Sequence, residues 1–380
     1  MSSSLELNDS SDGRDLSKAP GAHSLAEILS QPECWSSCLA SLSQSGTLER
    51  VCDFFGDADE WLFIGCGSSY YVGLCAAASM IALTGLRARA IPASEILLYP
   101  ELVLTAAKKC VPVLISRSGQ TSEVLKAAEL LRARSIPTLA ISCAEGQALE
   151  KLASLTITLP AADEKSTVMT RSFTSMLLTL QYLAAVLGQN LTHSESLSKI
   201  SALATPALRT LPDRIRDFVG AHHFADYVCL GQGPYYGLAC EYALKVTEMS
   251  VSYAQAFHTL EFRHGPKSIV APETLLIFLQ SGEDCEAESD VLEEMKSLGG
   301  TTFVVVNHAN NLVRAAADML VELAVDSPEL IRLAPSLVPG QLLSLYTGLK
   351  KGLDPDSPRH LSRAVILDDE PAKKPEHAAL

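Results

Sequence analysis

The sequence predicts an α/β protein made of two tandem, doubly wound parallel sheets. Three observations predict it. Short apolar runs alternate with helix-like segments, the alternation restarts past the middle of the chain, and each half opens on a strand that ends in a Gly-x-Gly turn. Short apolar runs bounded by turns are strands covered on both faces, as parallel sheets require. A chain of 380 residues also suits two domains of ordinary size better than one.

In chain order, residues 1–22 are rich in Ser and Asp and read as a disordered arm. A helical stretch follows over 24–55. Residues 61–64 (Trp-Leu-Phe-Ile) form the first strand, which ends in Gly65-Cys66-Gly67 and feeds an Ala-rich helix to about Leu83. A second strand reads Arg87-Ala88-Arg89-Ala90-Ile91, and others fall at 111–115, 137–142 and 155–159. The pattern restarts at 227–230, ends in Gly231-Gln232-Gly233 and enters a helix from about Tyr236. Further strands are expected at 275–279, 302–306 and 319–323. The two openings, Gly65-Cys66-Gly67-Ser68-Ser69-Tyr70-Tyr71 and Gly231-Gln232-Gly233-Pro234-Tyr235-Tyr236, suggest an internal duplication. The expected domains are 23–205 and 206–368, with 369–380 as a Pro- and Lys-rich disordered tail.

Net charge is −14 and the pI is near 5.1, which argues against nucleic acid or an anionic membrane as partner. A small anion needs only a local pocket of donors, so it stays open. The first residues carry no apolar core of a signal peptide, and the apolar stretches are broken by polar residues. A cytoplasmic location is therefore expected. Ten cysteines include no C-x-x-C pair; Cys34 and Cys38 lie four apart with no second pair to complete a metal site. Buried reduced thiols, and no metal, are expected.

The segment Ser116-Arg117-Ser118-Gly119-Gln120-Thr121-Ser122-Glu123 follows a strand and opens a helix. Free N–H groups and the positive helix end attract an anion there, and hydroxyls and a glycine add donors and close approach. A plain helix cap by Thr121 or Ser122 explains the same residues equally well. Ser68 and Ser69 favour the anion, because both loops lie at the carboxyl ends of parallel strands. A dinucleotide fingerprint is disfavoured, since Tyr70 replaces its third glycine, and no Ser sits in G-x-S-x-G. In the second half, Glu241, Lys245 and Glu248 share one helix face, as a catalytic group or as a solvated salt-bridged stripe. His264 is either catalytic or structural; spacing decides neither case.

The chain resembles the SIS (sugar isomerase) family in its double-domain form. The resemblance runs from about residue 24 to 367. It rests on Glu27-Ile28 with Gln31-Pro32 and Trp35, on both loops above, and on Met169-Thr170-Arg171-Ser172-Phe173-Thr174. It continues through Ala243-Leu244-Lys245-Val246-Thr247-Glu248, Phe262-Arg263-His264-Gly265-Pro266, and Asp356-Ser357-Pro358-Arg359-His360-Leu361-Ser362-Arg363. The chain is similar to the isomerase half of glucosamine-6-phosphate synthase and, more closely, to stand-alone galactosamine/tagatose-6-phosphate-type deaminases and isomerases.

That resemblance implies two flavodoxin-like SIS domains, a sugar-phosphate substrate and no cofactor. It implies phosphate-binding hydroxyls at Ser69, Ser116, Ser118 and Thr121, with Arg117 where the synthase type has a polar amide, and Ser68 and Met169 beside the substrate. The second domain's loop, Gln280-Ser281-Gly282-Glu283-Asp284, lacks those hydroxyls and carries acids, so only the first domain should hold phosphate. Glu248 matches the base that moves a proton between C1 and C2, and Lys245 a lysine of the same site. His264 matches a ring-opening histidine supplied by a partner subunit, which implies a homodimer with shared sites. Arg363 stands where the synthase has a Schiff-base lysine; a guanidinium can hold an oxygen but has no free amine. Only a short Ser-rich arm stands where the synthase carries a glutaminase, so ammonia release from an amino-sugar phosphate is the expected direction. Ketose/aldose isomerisation, deglycation of sugar–amine adducts and a non-enzymatic sugar-phosphate sensor are the alternatives.

Overall fold

The computed structural model describes residues 19–104, 109–282 and 286–367. The expected tail, and residues 1–18 of the expected arm, lie outside the described residues; Ala22 already begins a helix.

Two five-stranded, wholly parallel sheets form the frame. The first contains β1 (Glu60–Gly65), β2 (Arg87–Pro92), β3 (Cys110–Ile115), β4 (Leu139–Ser142) and β5 (Leu155–Thr158), in the order β2-β1-β3-β4-β5. The second contains β6 (Asp226–Gly231), β7 (Tyr253–Phe257), β8 (Thr274–Leu279), β9 (Thr301–Val306) and β10 (Met319–Glu322), in the order β10-β9-β8-β6-β7. Numbered from its own first strand, each sheet reads 2-1-3-4-5, the flavodoxin-like order. The central strands are apolar because both faces are covered: β1 and β8 are buried along their whole length.

The repeated Gly-x-Gly turn has one physical cause in both domains. A Cβ on Gly65 would stand 2.7 Å from the Ser69 carbonyl carbon, and one on Gly231 would stand 2.4 Å from the Tyr235 carbonyl oxygen. The helix doubles back so tightly on its strand that no side chain fits.

The helices that follow these turns, Ser68–Thr84 and Tyr235–Ser250, pack against each other and join the domains. Helices Arg171–Leu187 and Leu333–Lys350 complete the shared core around them. A buried polar chain fixes this centre. Gln31 Nε2 donates to Gln341 Oε1 (2.7 Å), Gln341 Nε2 to the Thr170 carbonyl (3.1 Å), Thr174 Oγ1 to Gln31 Oε1 (2.7 Å) and Trp35 Nε1 to Thr174 Oγ1 (2.8 Å). With every partner satisfied, such a chain fixes one arrangement of the three helices.

Two features depart from the sequence reading. The helical stretch over 24–55 is three helices, Ala22–Leu29, Gln31–Ser45 and Thr47–Phe55, broken at Ser30 and at Gly46, whose φ is 61°. Strand β7 has no counterpart among the expected strands. The boundary expected near 205, in a helical region, lies within helix Leu191–Arg209.

After the last helix the chain returns to its beginning. Asp354 accepts from the Gly21 N–H (2.9 Å), and Asp356 from the backbone N–H groups of His23 (2.9 Å) and Ser24 (2.7 Å) and from the Ser24 hydroxyl (2.6 Å).

Candidate active site

The loops after β1 and β3 lie at the switch point of the first sheet, where the connections diverge and a crevice opens. After β3, the chain turns through Gly119 (φ 64°) into helix Ser122–Ala133. Ser116 Oγ and Thr121 Oγ1 are 3.1 Å apart, and Ser118 Oγ accepts from the Gln120 N–H (3.2 Å). Ser68 and Ser69 open the helix after β1 and are buried; Ser69 Oγ lies 3.9 Å from the Met169 sulfur.

Helix Tyr235–Ser250 faces these loops with its charged residues. They are not a solvated stripe. Glu241 and Lys245 are fully buried, and Glu248 is largely so. Lys245 Nζ bonds to Glu248 Oε2 and lies 3.4 Å from Glu241 Oε1, which also accepts from Ser68 Oγ at 3.0 Å. Glu241 Oε2 has no partner among the described residues. Burial pushes the Glu241 carboxyl up to about 8 against the pull of Lys245. Burial alone would lower Lys245, but the two carboxylates outweigh it and hold the ammonium above its ordinary value.

One cavity of about 190 Å³ collects these groups. Its wall includes Ser68, Ser69, Ser118 and Thr121 from the first domain, Lys245 and Glu248 from the second, and Met169. Cys66 lines it too; burial pushes its thiol up to about 12, so it is a neutral wall. Ser116 lies behind the wall, bonded to Thr121. A base beside an ammonium therefore faces a cradle of hydroxyls, and an anion held by the cradle would have its far end near Glu248.

A second buried cluster shapes the rim. Glu164 Oε1 accepts from the Thr170 N–H (2.6 Å), Thr170 Oγ1 (2.8 Å) and the Ser172 N–H (3.2 Å), and its Oε2 from Ser172 Oγ (2.5 Å) and Arg117 (3.2 Å). An acid here caps helix Arg171–Leu187 and so places Met169. The C-terminal segment forms the remaining wall, with Arg363 on it. The Arg363 guanidinium pairs with Asp163.

The SIS domain model matches residues 55–186 and 227–346, which is most of the chain and both sheets. The chain belongs to the SIS domain family. A glutamine--fructose-6-phosphate aminotransferase from Pyrobaculum aerophilum is 30% identical over 362 residues, covering 90% of this SIS chain and 57% of the relative. The chain thus spans little more than half the length of that curated relative. A glucosamine-6-phosphate deaminase from Thermotoga maritima is similar in structure, with a TM-score of 0.75 and 29% identity over 91% of this chain and 100% of that one. A tagatose-6-phosphate ketose/aldose isomerase from Escherichia coli shares the fold with a TM-score of 0.80 at 23% identity, over 94% and 100% of the two chains.

Two expected site residues of the SIS protein sit differently from the rest. His264 is exposed, in the turn after the short helix Glu261–Arg263, and does not line the cavity. Arg117 reaches the cavity wall, but both terminal nitrogens of its guanidinium donate to protein acceptors, while its Nε is buried with no partner among the described residues. Glu164, Ala364 and Val365 are the site features that sequence reasoning did not select. Neither Lys350 nor Lys351 is near: Lys350 caps carbonyls at Val219, Gly220 and His222, and Lys351 binds the Ser250 carbonyl and Ser252. A wider cavity of about 660 Å³ opens near the amino ends of β3 and β4, but its charges form the exposed pairs Lys109–Asp57 and Arg134–Glu101 and offer no acid–base group. No described helix is long and apolar enough to cross a membrane.

Proposed function

We propose that this SIS protein converts a 2-amino-2-deoxyhexose 6-phosphate to a ketose 6-phosphate and ammonia. The observation that carries the reading is Glu248 beside the buried Lys245, facing the hydroxyl cradle across one small cavity. The substrate phosphate is held by Ser69, Ser118 and Thr121 with the helix end behind them, while Ser116 orients Thr121. His264 of a second copy opens the sugar ring, so the active unit is a homodimer. Glu248 removes the proton from C2 and the electron pair becomes a C1–C2 double bond, an enolamine. The Lys245 ammonium stabilises the developing charge on O1. Glu248 returns the proton to C1, leaving an iminium at C2. Water adds there and the C–N bond breaks, giving the ketone and ammonia. A positioned base accounts for roughly 10²–10⁴ of the acceleration.

Incubation with a panel of hexosamine 6-phosphates tests this. Ammonia should appear in equal amount with ketose phosphate for one epimer. The same carboxylate and ammonium could instead serve aldose–ketose isomerisation. Deuterium wash-in at C2 of a neutral ketose phosphate, with no ammonia from any amino sugar, would establish that second reading.

A further inference from the structure

We infer that Arg117 is a positioning residue that fastens the C-terminal segment over the cavity, and not a ligand of the substrate. The inference rests on the proposed sugar-phosphate site for its meaning, but its geometry stands alone. Arg117 lies between the two cradle serines, and its side chain is almost wholly buried. One guanidinium nitrogen donates to Glu164 Oε2 (3.2 Å) and the Val168 carbonyl (3.1 Å). The second terminal nitrogen donates to the carbonyls of Thr167 (2.8 Å) and Arg363 (2.9 Å), and Nε, buried in the chain, has no partner among the described residues. The fork thus joins three stretches of chain: the loop after β3, the segment before Met169, and the C-terminal strap. A planar group with fixed donors does this; a point charge does not.

The strap has anchors at both ends. At its base the Thr167 N–H donates to the Asp356 carbonyl (3.0 Å). At its tip the Ser122 N–H donates to the Val365 carbonyl (3.1 Å), and the Leu367 N–H to Ser122 Oγ (2.9 Å). Between these, residues 361–364 line the cavity, and the Arg117 bond to the Arg363 carbonyl is a part-buried fastening there. The Arg363–Asp163 pair is half exposed and contributes little at such a place. The strap's own side chains cannot replace Arg117: Leu361, Val365, Ile366 and Leu367 are largely exposed, so burial holds the segment down only weakly.

Trypsin reads the strap directly, because Arg359 and Arg363 are its cleavage points there. Mass mapping of the full chain should show slow cleavage at both. Arg117→Met should speed cleavage at least 10-fold. Arg117→Lys keeps a charge for Glu164 without the fork, and should speed it by a similar factor in a chain that still folds. Both variants should raise KM for the amino-sugar phosphate at least 10-fold. In a chain ending at Pro358, where the strap is gone, Arg117→Lys should change KM by less than twofold. Equal penalties in the full and shortened chains would show that Arg117 acts on the phosphate itself and would overturn the inference. Unchanged cleavage of a folded Arg117→Lys would overturn it as well. If the enzyme shows no turnover on any amino sugar, the proposed reaction fails while the cleavage rates still decide the role of Arg117.

Discussion

The two domains share a strand order and a Gly-x-Gly turn, yet each keeps what the other lacks. The first has the hydroxyl-rich loop Ser116 to Thr121 against the cavity, and its opening helix, Ser68–Thr84, carries no charged residue. The second carries Glu241, Lys245 and Glu248 on the corresponding helix, and its own loop is closed from within. There, the Ser281 N–H donates to Glu288 Oε2 (3.1 Å), the Ser281 hydroxyl to the other Glu288 oxygen, and the Gly282 N–H to Glu329 Oε1 (2.7 Å). The chain's own carboxylates take the donors that a phosphate would need. The sequence reading excluded phosphate from this loop because it lacks the repeated hydroxyls and carries Glu283 and Asp284. Glu283 and Asp284 lie outside the described residues, and the observed acids come from elsewhere in the chain. On the proposed reading one repeat supplies the binding loop and the other the acid–base group, and the packed helices Ser68–Thr84 and Tyr235–Ser250 bring the two together.

The largest test of this division is Glu248→Gln. Exchange of the C2 proton should fall at least about 100-fold, the lower bound for losing a general base, while the sugar phosphate still binds. Retained exchange, followed by proton NMR in deuterium oxide, would mean that the charged helix is not where the chemistry lies.

A smaller effect separates the loops. Ser116→Ala with Thr121→Ala should weaken sugar-phosphate binding by about 1.5–3 kcal/mol per lost charge-assisted hydrogen bond. Ser281→Ala should leave affinity unchanged and cost about 1 kcal/mol of stability. Calorimetry on both variants, with urea melts, checks the pair. A loss of affinity in Ser281→Ala would place a second anion site in the second domain.

The subtlest test concerns Glu241. Its carboxyl titrates near 8 in the fold against an ordinary 4.5. Across that window the folded state holds a proton that the unfolded chain has lost. Stability from this group is therefore complete below about 4.5 and declines as pH rises towards 8. Glu241→Gln abolishes the decline. The variant should gain on the parent by on the order of 1 kcal/mol per pH unit between pH 5 and 8 in urea melts. Parallel pH profiles would show that the acid is ionised throughout and acts as a fixed counter-ion to Lys245.

Most of the frame was legible because its strands are apolar on both faces and bounded by glycine. Strand β7, Tyr-Ala-Gln-Ala-Phe, was not: it is a half-exposed edge strand with two alanines, and neither an apolar run nor a clean alternation marks it. The spacing of Glu241, Lys245 and Glu248 was legible, but its burial was not, since the contacts that bury it come from a helix far away in sequence. Arg117 shows the same limit more sharply. A basic residue among serines invites a phosphate, and its acceptors are three backbone carbonyls and the distant Glu164 carboxylate, which no local side-chain pattern announces.

The strap lies beyond all ten strands and the last helix in chain order. Synthesis runs from the amino end and domains form as units. Both sheets can therefore assemble while the segment that walls the cavity is still being made, and the site becomes whole only after that segment has followed them. A message cut a few codons before residue 359 would yield a protein with its sheets intact and its pocket open to water.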